Sequence, residues 1–201
     1  MIAGNGDTAI HLAKMLSRED QEVVVMGTDA GILSELDANY NVFTTIGKAI
    51  SVSDQKRAGS QECDLFIAVT PFENHNIVSA EIAKWLGAAT TLARIDNPDL
   101  LEPAAKAHFR TLGIDKMVYP EYLAAKETVS AIDNKWTDSH YTLSGGQLEI
   151  CVLRVREGAP IEGMTLARFG GMTKKYHASL IKRNGEAIIP RGSHSFERND
   201  M

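Results

Sequence analysis

Gly4-Asn5-Gly6-Asp7-Thr8-Ala9 constrains this chain more than any other stretch. The glycines sit between a short apolar run, Met1-Ile2-Ala3, and an amphipathic run from Ile10 to Leu16. A strand, a tight turn and a helix N-terminus in that order make a cradle for a nucleotide's phosphates. The first glycine allows the turn, the second lets backbone approach phosphate, and the third position needs only a small residue against the strand. Backbone N–H groups at the helix start then face the anion. Gly4, Asn5, Gly6, Asp7 and Thr8 are therefore the first candidate ligand residues. The same glycines also suit a βα turn that holds nothing.

Hydropathy patterning agrees with such a turn from residue 1 to about 119. Apolar runs at Met1–Ala3, Glu22–Met26, Val42–Thr45, Asp64–Val69, Thr90–Ile95 and Lys116–Val118 read as strands. Amphipathic stretches near 7–19, 30–38, 51–58, 73–86 and 99–111 alternate with them as helices. That alternation predicts βαβ units, right-handed crossovers and a doubly wound, mostly parallel sheet. Gly87 and Gly113 read as helix ends, Asn97-Pro98 as a helix start, and Pro120 as the start of a further helix to about Trp136.

Beyond it the pattern changes. Residues 137–147 are polar and end in Ser144-Gly145-Gly146, which reads as a linker. A strand follows over Leu148–Val155, then a short helix over Met164–Phe169 and a strand over His177–Lys182. Asn184-Gly185 ahead of Glu186–Ile189 is a hairpin signal. The expected organisation is an α/β, Rossmann-like domain over 1–136, a linker over 137–147, and a small β-rich α+β domain over 148–201. The first strand and the Glu197–Met201 tail both read as cut short, as in a fragment or an early-start reading frame.

Composition removes several function classes. A net charge of −5 gives no electrostatic case for nucleic acid or an anionic membrane. No apolar run approaches the length of a membrane span. With the glycine turn at residue 4 no signal peptide is expected, and Cys63 and Cys151, in apolar surroundings, read as reduced, buried thiols of a cytosolic protein. The histidines at 11, 75, 108, 140, 177 and 194 have no metal-ligand spacing, although His75 falls near the expected mouth of the site. No nucleophile elbow or Cys–His pattern points to catalysis.

The order of several short stretches resembles the TrkA family, the cytosolic regulatory subunits of Trk/Ktr potassium uptake. They are Ile2-Ala3-Gly4-Asn5-Gly6 with His11-Leu12-Ala13; Asp64 to Thr70, with Asn76; Ala83-Lys84-Trp85-Leu86-Gly87-Ala88; and Ala93-Arg94-Ile95-Asp96-Asn97-Pro98. Leu112-Gly113-Ile114-Asp115 and Tyr119-Pro120-Glu121-Tyr122-Leu123-Ala124-Ala125 follow, with Gly158-Ala159-Pro160-Ile161 and Ile188 to Gly192 in the second domain. The resemblance implies a nucleotide-binding RCK (KTN) domain followed by a TrkA-C domain. It implies an adenine nucleotide, NAD/NADH or ATP/ADP, between strand ends, and no enzymatic activity. It also implies a homodimer or higher ring, a membrane potassium transporter or channel subunit as partner, and a cytoplasmic place on the membrane's inner face. Residues carried over are Gly4, Asn5, Gly6, Asp7 and Thr8 at the phosphates, Gly47-Lys48-Ala49 near the adenine, Thr70 on the phosphate side, and Arg94 as a phosphate donor. The helix Glu121–Trp136 would be a crossover element on a neighbouring subunit or would pack within its own domain.

Two positions depart from the family pattern. Strand two ends at Gly27, where NAD-binding members carry an acid for the ribose hydroxyls. Gly27, Thr28 and Asp29 are retained as candidates, with Asp29 as the nearest carboxylate. Lys48 replaces an acidic or amide residue and adds positive charge beside the adenine, or is a solvated loop lysine. Thr70 is alternatively a cap for the following helix, and Arg94 an ion-pair partner of Asp96. An NAD(P)-dependent oxidoreductase and a ligand-free assembly module remain as competing readings.

Overall fold

The computed structural model describes residues 1–133 and 137–201. The chain divides into two compact units, Met1–Ala125 and Lys126–Met201. In the first unit the elements run β1 (Ile2–Ala3), α1 (Asp7–Leu16), β2 (Val24–Gly27), α2 (Ala30–Asn39), β3 (Phe43–Ile46), α3 (Val52–Arg57), β4 (Leu65–Ala68), α4 (Glu73–Leu86), β5 (Thr90–Arg94), α5 (Pro103–Thr111), β6 (Lys116–Val118) and the start of α6 (Pro120–Asp133). The strands form one parallel sheet in the order β3-β2-β1-β4-β5-β6. This is the doubly wound order, with its switch point between β1 and β4.

Strand alternation explains the two cores of this unit. Ile2, Val25 and Ile67 share one face and pack with Ala9 and Ala13 of α1 and Leu33 and Leu36 of α2. Ala3, Met26, Phe66 and Ala68 point to the other face, where Ala83 of α4 joins them. Successive residues of a strand thus feed opposite layers, as a sheet covered on both sides requires. Gly87 has φ 130° and ends α4 as expected. Asn97 caps a short 3-10 turn at Pro98–Leu101, and α5 starts only at Pro103. The end of the helix expected to reach Trp136 falls on Asn134–Trp136, outside the described residues.

The second unit corrects one expectation. The stretch read as a linker contains β7 (Ser139–Leu143), which pairs antiparallel with β8 (Leu148–Val152). Ser144-Gly145-Gly146, each at positive φ, is the turn of that hairpin. Downstream lie α7 (Leu166–Met172), β9 (Ile181–Arg183) and β10 (Glu186–Ile188). Asn184 (φ 51°) and Gly185 (φ 89°) turn β9 into β10, the conformation an Asn-Gly hairpin favours. Val155, Ile181 and Phe196 form the core, with Phe169 edge-on to Phe196. Met201 exchanges backbone hydrogen bonds of 2.7 and 3.0 Å with Lys182, on β9. Cys63 and Cys151 are free and only partly buried, so the expectation of fully buried thiols is not met. Burial pushes the Cys63 thiol up from its ordinary value.

Candidate functional site

Three βα connections converge at the C-terminal edge of the central strands. Gly4 N–H donates to Met26 O at 2.8 Å, and Gly47 N–H donates to Gly27 O at 2.9 Å, so the ends of β1, β2 and β3 are tied side by side. A cleft of about 340 Å³ opens over these ends, within the size range of small-ligand sites. Its lining includes Gly4, Asn5, Gly27, Thr28, Gly47, Lys48, Ala49 and Thr70. A broader groove of about 530 Å³ runs along α2 and β3 past Leu33, Asp37 and Arg57. It lacks a glycine turn, and the start of α2 that Ala30 brings to it is already capped by Asp29, so it is shallow surface relief of the sheet edge rather than a phosphate site.

The phosphate turn is closed on one side and open on the other. Gly4 has φ 139°, and a Cβ there would lie 2.8 Å from Val69 O, so the sheet admits only glycine. At Gly6 a Cβ would meet nothing within 4 Å. Gly6 is the N-cap of α1 and offers no side-chain acceptor, which leaves first-turn N–H groups, Asp7 and Thr8 among them, for an anion. That combination of a crowded first glycine and an uncapped, unobstructed helix start fits a bound phosphate.

Gly27 has a local cause. A Cβ at this position would sit 2.8 Å from Asn5 Cβ and 3.0 Å from Asn5 Cγ. The Asn5 side chain therefore fills the space that an acid's side chain would need at the end of β2. Asp29 does not replace that acid in the cleft. Its Oδ1 accepts the Gly31 and Ile32 N–H groups at 2.9 and 3.1 Å, which makes it the N-cap of α2.

Arg94 is also engaged elsewhere. Its Nη2 lies 3.1 Å from Asp96 Oδ1 and 2.8 Å from Glu121 Oε1, and it is not among the cleft-lining residues. The ion pair with Asp96 is thus formed, together with a second one to α6. Thr70 stays on the cleft wall, fixed by the buried Asn76.

The sequence reading did not single out Met26, Ile50, Pro71 and Phe72, which also line the cleft. Phe72 is 59% exposed and stands edge-on to His75, another lining residue, with ring centroids 5.0 Å apart. Phe72 directly precedes α4, and an aromatic at such a strand–helix junction was the available signal.

Strand order, switch-point cleft and glycine turn together define a Rossmann-like α/β unit joined to a smaller α+β unit. Residues 1–120 match the TrkA-N domain, and the chain belongs to that family. A Trk system potassium uptake protein TrkA homolog of Archaeoglobus fulgidus is 32% identical over 196 residues, covering 96% of this chain and 43% of the relative. The TrkA protein of Halomonas elongata is 26% identical over 207 residues, covering the whole of this chain and 44% of that protein. The chain therefore spans less than half the length of these two relatives. Among solved structures, the GsuK channel bound to NAD superposes with a TM-score of 0.59 at 15% identity, over 99% of this chain and 35% of the channel. The TrkA-N domain of the Escherichia coli inner membrane protein ybaL gives 0.57 at 19% identity, over 65% of this chain and 93% of that one. Both likenesses are of fold.

Proposed function

We propose that this chain is a nucleotide-sensing regulatory part of a potassium uptake system, working in the cytoplasm on a membrane transporter or channel subunit. The observation that carries this reading is the cleft at the β1/β4 switch point, with Gly4 closed against Val69 O and α1 left uncapped at Gly6. Gly4 and Asn5 of the cleft lining, with Gly6, Asp7 and Thr8 at the start of α1 just outside it, would hold the phosphates; Gly27, Thr28, Lys48 and Ala49 would flank the adenosine end; Thr70 would close the opposite wall. The nucleotide would supply binding energy that differs between two conformations, and so would shift their populations. Thr70 is tied to Asn76, Asn76 Nδ2 donates to Arg94 O at 3.0 Å, and the Arg94 guanidinium grips Glu121 of α6. Ligand contact at the cleft wall thereby reaches the helix that would pack on a second subunit in a dimer or larger ring. The second unit is assigned as a TrkA-C-type domain. The transport-system names of the curated relatives support a regulatory rather than a catalytic role.

Calorimetric titration with ATP, ADP, NAD and NADH, repeated on Gly6→Asp, tests this reading. Gly6 has φ −83° and an unobstructed Cβ direction, so aspartate fits and caps α1 while placing negative charge on the phosphate path. Binding that disappears in a variant with undiminished thermal stability supports the assignment. Absence of binding to the folded wild-type chain would leave an assembly module in its place.

A further inference from the structure

The cleft is lined by one lysine and, among the described residues, by no carboxylate. A diol held at the end of β2 needs a carboxylate acceptor there, and a 2′-phosphate needs cationic donors. No aspartate or glutamate lines this cleft among the described residues. Gly27 cannot carry one without displacing Asn5, and Asp29 is spent on the α2 N-cap. Asp54, in the first turn of α3, is likewise engaged. Its Oδ2 accepts the Lys48 N–H at 2.8 Å, and its Oδ1 pairs with Arg57 at 2.9 Å.

Lys48 occupies the complementary position. It follows Gly47, whose N–H bonds Gly27 O at 2.9 Å, so it stands directly beside the end of β2 and lines the cleft with Gly27 and Thr28. Its backbone is fixed by Asp54, yet its ammonium has no carboxylate in ion-pair range among the described residues. A cation whose ammonium pairs with no carboxylate, in a cleft that no described carboxylate lines, is the electrostatic inverse of a diol clamp. His75 on the β4–α4 side is the other titratable group of the lining.

From this juxtaposition we infer that Lys48 selects a ligand with a phosphomonoester on the adenosine ribose, so that the cleft takes a 2′-phosphorylated adenine dinucleotide in preference to its unphosphorylated form. The inference rests on the nucleotide-site reading above. It adds the chemical class of the ligand and the residue that discriminates.

The test compares NADPH with NADH, and 2′,5′-ADP with 5′-AMP, by fluorescence and calorimetric titration of the full chain. The wild type is expected to favour each 2′-phosphorylated member by about tenfold, the range of one charge-assisted hydrogen bond. Lys48→Ala should bring each pair together by weakening only the phosphorylated member, and Lys48→Arg should retain the preference. ATP is a further arm. If ATP competes as strongly as NADPH and its affinity also falls with Lys48→Ala, the lysine reads a 5′-polyphosphate and the 2′ assignment is overturned. Equal affinity for NADH and NADPH, or parallel weakening of both in Lys48→Ala, overturns the selectivity while leaving the nucleotide site in place. Failure of all these ligands to bind the folded protein overturns the site itself.

Discussion

Asn76 holds Thr70 from both sides. Its Oδ1 accepts the Thr70 N–H and Oγ1–H, each at 2.7 Å, and its Nδ2 donates to Thr70 O at 2.9 Å. The same Nδ2 donates to Arg94 O at 3.0 Å, so one buried amide fixes the ends of β4 and β5 relative to each other. The loop after β4 is thereby held on the cleft wall.

Asn76→Ala should therefore be severe. It leaves the Thr70 N–H and two partly buried carbonyls short of partners. The expected loss is about 2–3 kcal/mol of stability, read by urea denaturation. Asn76→Asp keeps the acceptor but sets a carboxylate against Thr70 O and Arg94 O, and should be no better tolerated.

The two glycines of the phosphate turn should separate stability from binding. Gly4→Ala meets Val69 O at 2.8 Å and must adopt φ near 139°, so a loss of about 2 kcal/mol or more is expected. Gly6→Ala meets nothing and keeps φ −83°, so its thermal midpoint should stay within a few degrees of wild type. A melting curve of each variant checks the pair. A Gly4→Ala protein as stable as wild type would contradict the close approach of β1 to β4.

These contrasts show what could be read from the sequence. The parallel sheet was legible because each strand carries residues for two faces, as Ile2 with Ala3 and Val25 with Met26 do, and each is followed by an amphipathic helix. The phosphate turn was legible because it is local. Asp29 is a ribose candidate by its place after β2, and only the Gly31 and Ile32 N–H bonds reveal it as a helix cap. Residues 137–147 were misread because Ser-Gly-Gly suits a linker and a hairpin turn equally. The pairing of Tyr141 with Ile150 and Leu143 with Leu148 has no signature within either strand. Arg94 was assigned to phosphate because its contact with Glu121, on α6, bridges two elements far apart in sequence.

That contact supplies a test of communication between the cleft and α6. Arg94 is mostly buried, while Asp96 and Glu121 are about half exposed, so neither ion pair is worth more than about 1 kcal/mol to stability. Glu121→Gln should leave the melting temperature nearly unchanged yet alter nucleotide affinity by about threefold or more if α6 and the cleft are coupled, because such coupling is reciprocal. Asp96→Asn serves as the control outside α6. Equal affinities in wild type and Glu121→Gln would remove Arg94 from the route.

The second unit should be acid-sensitive through Asp200. This carboxylate is almost fully buried and takes a two-pronged grip from Arg183, Nε to Oδ1 at 2.8 Å and Nη2 to Oδ2 at 2.7 Å. Glu197 N–H adds a bond of 2.7 Å, and Glu197 also pairs with Arg183. The Arg183 hydrogen bonds hold Asp200 below the usual carboxylate range, against the opposing effect of burial. A depressed folded value means that the pair stabilises the unit above the unfolded aspartate value, about 3.9, and loses that stabilisation as pH falls through the lower folded value. Hydrogen-exchange protection across Ile181–Ile188 should accordingly be flat near neutrality and fall below about pH 4. Asp200→Ala removes both prongs of the fork and leaves Arg183 only Glu197 and the Ser195 carbonyl, so the thermal midpoint of this unit should fall. Arg183→Lys should recover little, since an ammonium cannot reproduce the planar fork that spans both Asp200 oxygens. Protection in Arg183→Lys equal to wild type would show that charge alone, rather than the fork, holds β9 against the Glu197–Met201 tail.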